Sequence, residues 1–344
     1  MSNIALFICF LSSFGVGLAI VLSKPLHSKF TADDTKGDQK FHSGIIPRVG
    51  GLTLIAGMLS STVWPNSPAL LPLILISLIP VFLFGFWEDL FKSVSSLKRL
   101  LASLSSAAMI VAFTGFNFSA VDVYLLDHLI SNDFIWVVLT IIALAALSNG
   151  LNIIDGFNGL AAGSSVSMAL WIAFLAYISD DFLVLNIALV FAASLFGFLL
   201  LNFPKGYIFL GDAGAYTSGL TLGTLGMILV EKNDDITPLT LMIVFAYPIV
   251  ELLFSFYRKT VRKGHRPDLP DRVHFHMLVY RSFGRRFFRS QVARNSITGA
   301  CLNFLSFSGL ICVLLFPVSR ALALSYFLLF FIIYAHLYRK MTFR

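Results

Sequence analysis

Long apolar stretches, broken at short intervals by polar clusters, set the pattern of this chain. Apolar runs extend from Ser2 to Leu22, Val49 to Val63, Ala69 to Trp87, Leu100 to Phe116, Phe134 to Ser148, Ser164 to Ile178, Phe182 to Leu201, Ala213 to Val230, Ile236 to Tyr257, Ser296 to Phe316 and Ala321 to Tyr338. Each approaches the ~20 residues that a helix needs to cross hydrocarbon, so the pattern predicts eleven membrane-spanning helices. The second, fifth and sixth are short for the task. Eleven spans occupy roughly 220 residues of the chain and leave about ten for each connection, so no soluble domain fits and residues 1–344 form one integral-membrane domain. The first run has no basic flank and no small-residue cleavage site, and is expected to stay as a helix.

Composition agrees. Hydrophobic residues make up 57% and charged residues 12%, about half the charged share of a soluble domain, and the mean hydropathy is +0.84. A water-soluble fold is excluded, and 35 Phe among so few charges exclude disorder. The fold class is therefore an all-α polytopic membrane protein. Cys9, Cys301 and Cys312 lie inside apolar runs without Cys-x-x-Cys spacing, which supports neither a disulfide framework nor a zinc site and makes them packing residues.

Charge orients the chain. Segments 23–48, 88–99, 149–163, 202–212 and 258–295, with the tail from Arg339, hold 23 of the 25 Lys and Arg residues, and only Lys232 and Arg320 fall elsewhere. The positive-inside rule makes this set cytoplasmic, with the N-terminus outside and the C-terminus inside. The outer acidic residues stand in no motif. Seven of the inner ones, Glu88, Asp89, Asp155, Asp212, Glu251, Asp268 and Asp271, sit among Gly, Asn and His at or just past predicted helix ends.

Five inner segments could carry chemistry. In the first, His42-Ser43-Gly44-Ile45-Ile46-Pro47-Arg48-Val49-Gly50-Gly51, paired glycines either serve close helix packing or let an anionic ligand approach a basic edge. The second, Gly85-Phe86-Trp87-Glu88-Asp89 with Lys92, Lys98 and Arg99 behind it, is either an interfacial charge cluster or a pair of hard oxygen ligands suited to Mg²⁺ or to a proton. The third is the most informative: Asn149, Asn152 and Asp155 recur every third residue, lining one side of a helix, and Asp155-Gly156-Phe157-Asn158-Gly159 then breaks that helix. Such a break at membrane depth belongs where backbone lines a polar cavity.

The fourth segment, Phe209-Leu210-Gly211-Asp212-Ala213-Gly214, frames one carboxylate with glycines at a helix start. It offers a single Mg²⁺ ligand beside a terminus that favours phosphate. Gly206 and Gly211 have phosphate-loop spacing, but Asp212 and Ala213 replace the required Lys and Ser or Thr. The fifth, His265-Arg266-Pro267-Asp268-Leu269-Pro270-Asp271-Arg272-Val273-His274-Phe275-His276, is rich in cations and fits a polyanionic ligand; its His-x-His pair lacks the partners of a zinc site. Beyond it, Tyr280 to Arg289 mixes Phe283, Phe287 and Phe288 with Arg281, Arg285, Arg286 and Arg289, as does a helix lying in the headgroup region, although plain anchoring by positive charge would look the same.

Metal-holding carboxylates, amides and a basic His-bearing loop on one face together describe phosphoryl transfer, in which metal and cations spread the charge of an anionic transition state. An enzyme without an extramembrane domain gains from lying in lipid when one substrate is a lipid. The other reading is a transporter of nucleotide-sugars or lipid-linked sugars. Transporters place their polar groups near the bilayer midplane at a repeat interface, whereas these lie at helix ends and no inverted repeat is evident.

The five segments also resemble, in order, the motifs of the polyprenyl-phosphate N-acetylhexosamine-1-phosphate transferases, the MraY- and WecA-like enzymes of glycosyltransferase family 4. Asn149 to Gly163 looks like N-x-x-N-x-x-D-G-x-[DN]-G-L, His42 to Gly51 like H-x(4)-P-R-x-G-G, Gly85 to Asp89 like the Asp-Asp element, Phe209 to Gly214 like F-[ML]-G-D-x-G, and Pro267 to His276 like P-D-x-x-H-x-H. The resemblance implies transfer of N-acetylhexosamine 1-phosphate from a UDP-sugar to undecaprenyl phosphate, with release of UMP, at the cytoplasmic face of a bacterial inner membrane. It implies Mg²⁺, with Mn²⁺ able to substitute, no nucleic-acid partner, and compatibility with a homodimer.

By position, Asp212 and Asp155 would hold the metal, and Glu88 and Asp89 would deprotonate or orient the lipid phosphate. Asn149 and Asn152 would support metal and diphosphate, Asn158 would face the uridine, and His42 and Arg48 would contact substrate. Arg272, His274 and His276 would neutralise diphosphate or sugar. Two positions depart from the pattern: Glu88 stands where the family usually has Asp, and Met277 stands where the MraY branch has a third His. The second favours the branch that starts O-antigen, capsule or other envelope glycans over the phospho-N-acetylmuramoyl-pentapeptide transferases.

Overall fold

The computed structural model describes residues 2–33, 44–261, 273–284, 288–315 and 319–342. His42, Arg272 and residues 262–271 lie outside this set. The helices in chain order are α1 (Asn3–Leu22), α2 (Lys24–Thr31), α3 (Gly51–Thr62), α4 (Leu71–Ser77), α5 (Ile79–Phe91), α6 (Ser96–Thr114), α7 (Tyr124–Leu129), α8 (Asp133–Ile154), α9 (Leu160–Ile178), α10 (Phe182–Asn202), α11 (Gly211–Lys232), α12 (Pro238–Val244), α13 (Ala246–Val261), α14 (Phe275–Val279), α15 (Gln291–Leu315) and α16 (Arg320–Thr342). Ala32–Asp33 and Ile46–Pro47 form a short antiparallel bridge, Ala32 opposite Pro47.

Every predicted apolar run falls on a helix or on a bent helix pair. Among the described residues, seven helices are long and apolar enough to cross a membrane: α1, α6, α8, α9, α10, α11 and α16. Counting the pairs α4–α5, bent by 48°, and α12–α13, bent by 87°, raises the number to nine. Pro80 and Pro248 stand in the first turns after these bends, where a missing N–H and a ring clash interrupt the hydrogen-bond ladder. Of the two remaining runs, α3 has 12 residues, and α15 includes side chains outside the described set.

Three expectations need correction. The fifth and sixth runs are not short, because α8 has 22 residues and α9 has 19. Asn149 and Asn152 continue α8, the first amide bonding back within the helix and the second reaching Asp212 of α11. The described part of the Tyr280 to Arg289 segment does not begin as an interfacial helix: Tyr280–Gly284 is a π-helical turn, Tyr280 is buried, and its ring stacks on Phe157 at 5.2 Å, while residues 285–287 lie outside the described set. Of the cysteines only Cys9 is a buried packing residue, since Cys301 is exposed.

At the centre stands α11, buried from Gly211 to Leu229 and packed against α8, α5, α9 and α3. Association of helices in lipid depends on close packing and cross-helix hydrogen bonds, because lipid is as apolar as the side chains. Small residues supply the first. A Cβ on Gly219 would lie 2.5 Å from Ser148 Cα, one on Gly51 would lie 2.6 Å from the Gly214 nitrogen, and one on Gly85 would lie 2.7 Å from Ala213 Cα. Ser148 supplies the second by donating to the Tyr216 carbonyl at 2.8 Å. The paired glycines of the first inner segment thus serve helix packing, and they bring Arg48 to the start of α11.

Candidate active site

Backbone pairing joins the first and fourth segments. Phe209 N–H donates to the Pro47 carbonyl at 2.8 Å, and the Gly50 and Gly51 N–H groups donate to Phe209 and Leu210 at 2.9 Å. Gly211 turns the chain into α11 with φ +75°, a conformation open to glycine at little cost. A Cβ there would also lie 2.1 Å from the Arg48 carbonyl oxygen. The first amides of a helix have no partner within it, and here Asp89, at the end of α5, supplies one. Its Oδ1 accepts from Asp212 N–H at 2.8 Å and its Oδ2 from Ala213 N–H at 3.0 Å. Asp89 is 1% exposed, so a neighbouring helix caps α11 with a buried carboxylate.

This leaves the Asp212 side chain to other partners. Its Oδ1 accepts from Arg48 at 3.1 Å and from the Asn152 amide at 3.3 Å, and its Oδ2 accepts from Arg99. Asp155 ends α8 beside this group. Burial pushes its carboxyl up to about 7 and the Asp212 charge adds to the rise, while Arg48 and the Gly211 amide oppose it. Two carboxylates and two guanidinium groups therefore share one basin at the junction of α5, α6, α8 and α11.

The break after α8 is held from both sides by amide side chains. Asn202 accepts from Gly159 N–H at 2.6 Å, Asn303 donates to the Gly159 carbonyl at 2.8 Å, and Asn295 accepts from Asn158 N–H at 2.7 Å. Asn158 is 4% exposed, and its amide donates to the Pro204 carbonyl at 3.0 Å and to Ser296 at 3.3 Å. It therefore ties the turn to α15 and to the 203–206 loop. Asn149 donates back to the Ala145 carbonyl of its own helix at 2.8 Å.

The His-bearing segment folds against that break. A Cβ on Gly156 would lie 2.8 Å from His276 Nε2, and the His276 ring meets Phe157 edge-on at 5.5 Å and stacks with His274 at 5.5 Å. His274 Nδ1 lies 3.0 Å from Glu251 Oε1. The chain thus brings together Arg48, Asp89, Asn152, Asp155 and Asp212, and places His274 and His276 against the same Asp-Gly turn. Glu88 braces the turn after α5, its Oε2 accepting from Val94 N–H at 2.8 Å, and its charge acts on Arg99 in the basin.

Sequence reasoning named Arg99 and Glu251 without giving either a role, and did not single out Asn202, Asn295, Asn303 or Tyr334. Arg99 had a signal in its place among the cations behind Glu88 and Asp89, and Glu251 in being a carboxylate within an apolar run. Asn202, Asn295, Asn303 and Tyr334 had none. Among the described residues no group of three or more His, Cys, Asp or Glu could hold a metal ion, so a divalent cation would have only the two hard carboxylates of Asp155 and Asp212 from the chain. Mg²⁺ is held in this way, by one or two carboxylates with substrate phosphate and water completing the shell.

Comparison with known proteins gives the same direction. The model of glycosyl transferase family 4 matches residues 71–230, from α4 through α11. A Bacillus subtilis protein named "Probable undecaprenyl-phosphate N-acetylglucosaminyl 1-phosphate transferase" is 30% identical over 259 residues, 74% of this chain and 71% of its own. The Yersinia pestis undecaprenyl-phosphate alpha-N-acetylglucosaminyl 1-phosphate transferase is 27% identical over 314 residues, 89% and 84% of the two chains. A Lactobacillus gasseri phospho-N-acetylmuramoyl-pentapeptide-transferase is 27% identical over 245 residues, 67% and 76%. With two carboxylates, two arginines and a broken-helix turn gathered at one end of a helical membrane bundle, and with relatives aligned across most of its length, this chain belongs to glycosyl transferase family 4.

Proposed function

We propose that this protein transfers N-acetylhexosamine 1-phosphate from a UDP-sugar to undecaprenyl phosphate and releases UMP, at the cytoplasmic face of a bacterial inner membrane. The observation that carries the reading is the convergence of Asp155, Asp212, Arg48 and Arg99 at the start of the buried helix α11. A basin of this kind suits a phosphoanhydride in transit. An oxygen of the lipid phosphate attacks the phosphorus next to the sugar, the bond from that phosphorus to the bridging oxygen breaks, and the bridging oxygen leaves on UMP.

Asp212 and Asp155 would hold Mg²⁺, which when bound neutralises charge on phosphoryl oxygens. Arg48 and Arg99 add two fixed cations in a site shielded from bulk water, where electrostatic stabilisation is strongest. Asn152 orients Asp212, and Asp89 holds the first turn of α11 so that the Asp212 side chain faces the reacting groups. His274 and His276 would donate to the diphosphate. The basic residues crowd the segments that form this end of the bundle, which supports the cytoplasmic side. Met277, in place of a third His, favours a simple N-acetylhexosamine over the pentapeptide-bearing substrate.

The nucleotide product tests the reading. Purified protein incubated with UDP-N-acetylglucosamine and undecaprenyl phosphate is expected to yield UMP, and only when the lipid is present. Stoichiometric UDP would mean attack at the anomeric carbon and would overturn the assignment.

A further inference from the structure

The buried carboxylate of Glu251 has no part in the basin around Asp212. It is 0% exposed, on α13, and three donors from two elements converge on it. Its Oε1 lies 3.0 Å from His274 Nδ1 and accepts from Phe275 N–H at 3.2 Å, and its Oε2 accepts from the Tyr334 hydroxyl of α16 at 2.8 Å. The preceding carbonyl is gripped as well: Val273 O accepts from Arg258 at 2.9 Å and from the Tyr338 hydroxyl at 2.9 Å.

An isolated charge buried at this depth is costly unless every lone pair is used, and here the donors are supplied by the His segment itself and by the last helix. The carboxylate on Nδ1 fixes the tautomer of the imidazole and leaves Nε2 as the nitrogen presented outward. His274 stacks on His276, which rests on the Asp155–Gly156 turn. The orientation of one ring therefore bears on the other and on the edge of the carboxylate basin.

We infer that Glu251 is a positioning residue for transfer. It fixes His274 so that Nε2 meets the diphosphate of the substrate, and Tyr334 holds Glu251 in that role. The inference rests on the reading above, in which His274 serves the diphosphate, and it adds α13 and the C-terminal helix to the machinery. Its parts act in series, Tyr334 on Glu251 and Glu251 on His274. Removing a later member should therefore make the earlier ones irrelevant to rate.

The test is a double-mutant cycle on the full-length enzyme in detergent, measuring lipid-dependent UMP release. Glu251→Gln keeps the shape and loses the charge, and kcat is expected to fall about ten- to a hundredfold, as when the partner of a working histidine is removed. In a His274→Ala background the same change is expected to alter the rate less than about twofold, since residues acting as a unit are not additive. A Glu251 that merely stabilises the fold would impose its loss in both backgrounds, and multiplying losses would overturn the inference, as would a Glu251→Gln enzyme with parental kcat. Should Glu251→Gln fail to fold, Tyr334→Phe removes one hydroxyl and keeps the ring; a rate loss that disappears in His274→Ala is again expected, and an equal loss in both backgrounds refutes the role. Absence of UMP from the parent enzyme would reject the transfer reaction itself, a different result from an additive cycle.

Discussion

Two aspartates of like charge do different work here, and the difference lies in what their oxygens accept. Both oxygens of Asp89 are taken by backbone amides of α11, while those of Asp212 face two guanidinium groups and an amide. Asp212→Asn is expected to lower turnover by about 10³-fold, the scale of losing a major electrostatic element, at near-parental thermal stability. Asp89→Asn leaves a backbone amide without an acceptor and is expected to cost about 1–3 kcal/mol of stability along with rate. Initial rates and melting temperatures separate the two, and an Asp212→Asn enzyme with normal turnover and metal dependence would move the main metal ligand to Asp155.

Asp155 itself gives a pH signature. Its carboxyl ionises near 7 in the fold, against 3.8 ordinarily, so between those values the folded chain keeps a proton that the unfolded chain has lost. Stability then falls as pH rises through that window, and the cost is complete above it. Asp155→Asn does not titrate. In metal-free buffer its melting temperature is expected to gain on the parent from pH 4 to pH 7 and to level off beyond. A gap that stays constant with pH would rule this out. At this scale Asp155 and Asp212 were legible from spacing, but Arg99 was not, because it stands 113 positions from its partner and a cation at a helix end reads as an anchor.

At the scale of elements, the decisive feature is how α11 begins. Gly211→Ala places a methyl group against the Arg48 carbonyl and Asp89 at a left-handed φ, and such strain costs on the order of 1–3 kcal/mol. The expected result is a lower melting temperature and a larger loss of rate, because Asp212 is the next residue. Gly15→Ala on α1, where no atom lies within 4 Å of the new Cβ, is the control and should stay within about 0.5 kcal/mol of the parent. Equal behaviour of the two variants would show that the start of α11 tolerates displacement. The helix break after Asp155 was legible because Asp-Gly-x-Asn-Gly cannot continue a helix comfortably. The clamp on it was not, since Asn202, Asn295 and Asn303 meet the turn only after α9, α10 and α15 have packed.

For the whole molecule, the asymmetry of basic residues makes a topological prediction. In a background with Cys9, Cys301 and Cys312 replaced, an impermeant thiol reagent applied from outside should reach cysteines placed at Asn66, Asp127 and Asp234. It should miss those at Asp38, Lys205 and Pro267. Labelling of Pro267 from outside would invert the chain and remove the nucleotide site from the cytoplasm. The eleven apolar runs all became helical, yet their lengths divide them into seven clear spans, two bent pairs, one short helix and α15, because proline and polar residues alter a helix without ending an apolar run.

Hydropathy, helix-breaking residues and motif order are properties of neighbouring positions, and the sequence alone therefore determined an all-helical membrane bundle with its polar chemistry gathered at helix ends. It also singled out the Asp155, Asp212, His274 and His276 side chains. Which carboxylate caps a helix and which meets two guanidinium groups was decided only in the tertiary structure, and so were the partners of Arg99, Glu251 and Tyr334. A hydrogen bond is set by a few ångströms between groups that may stand 83 or 164 positions apart, and those separations acquire a meaning only when α11, α13 and α16 have found their neighbours.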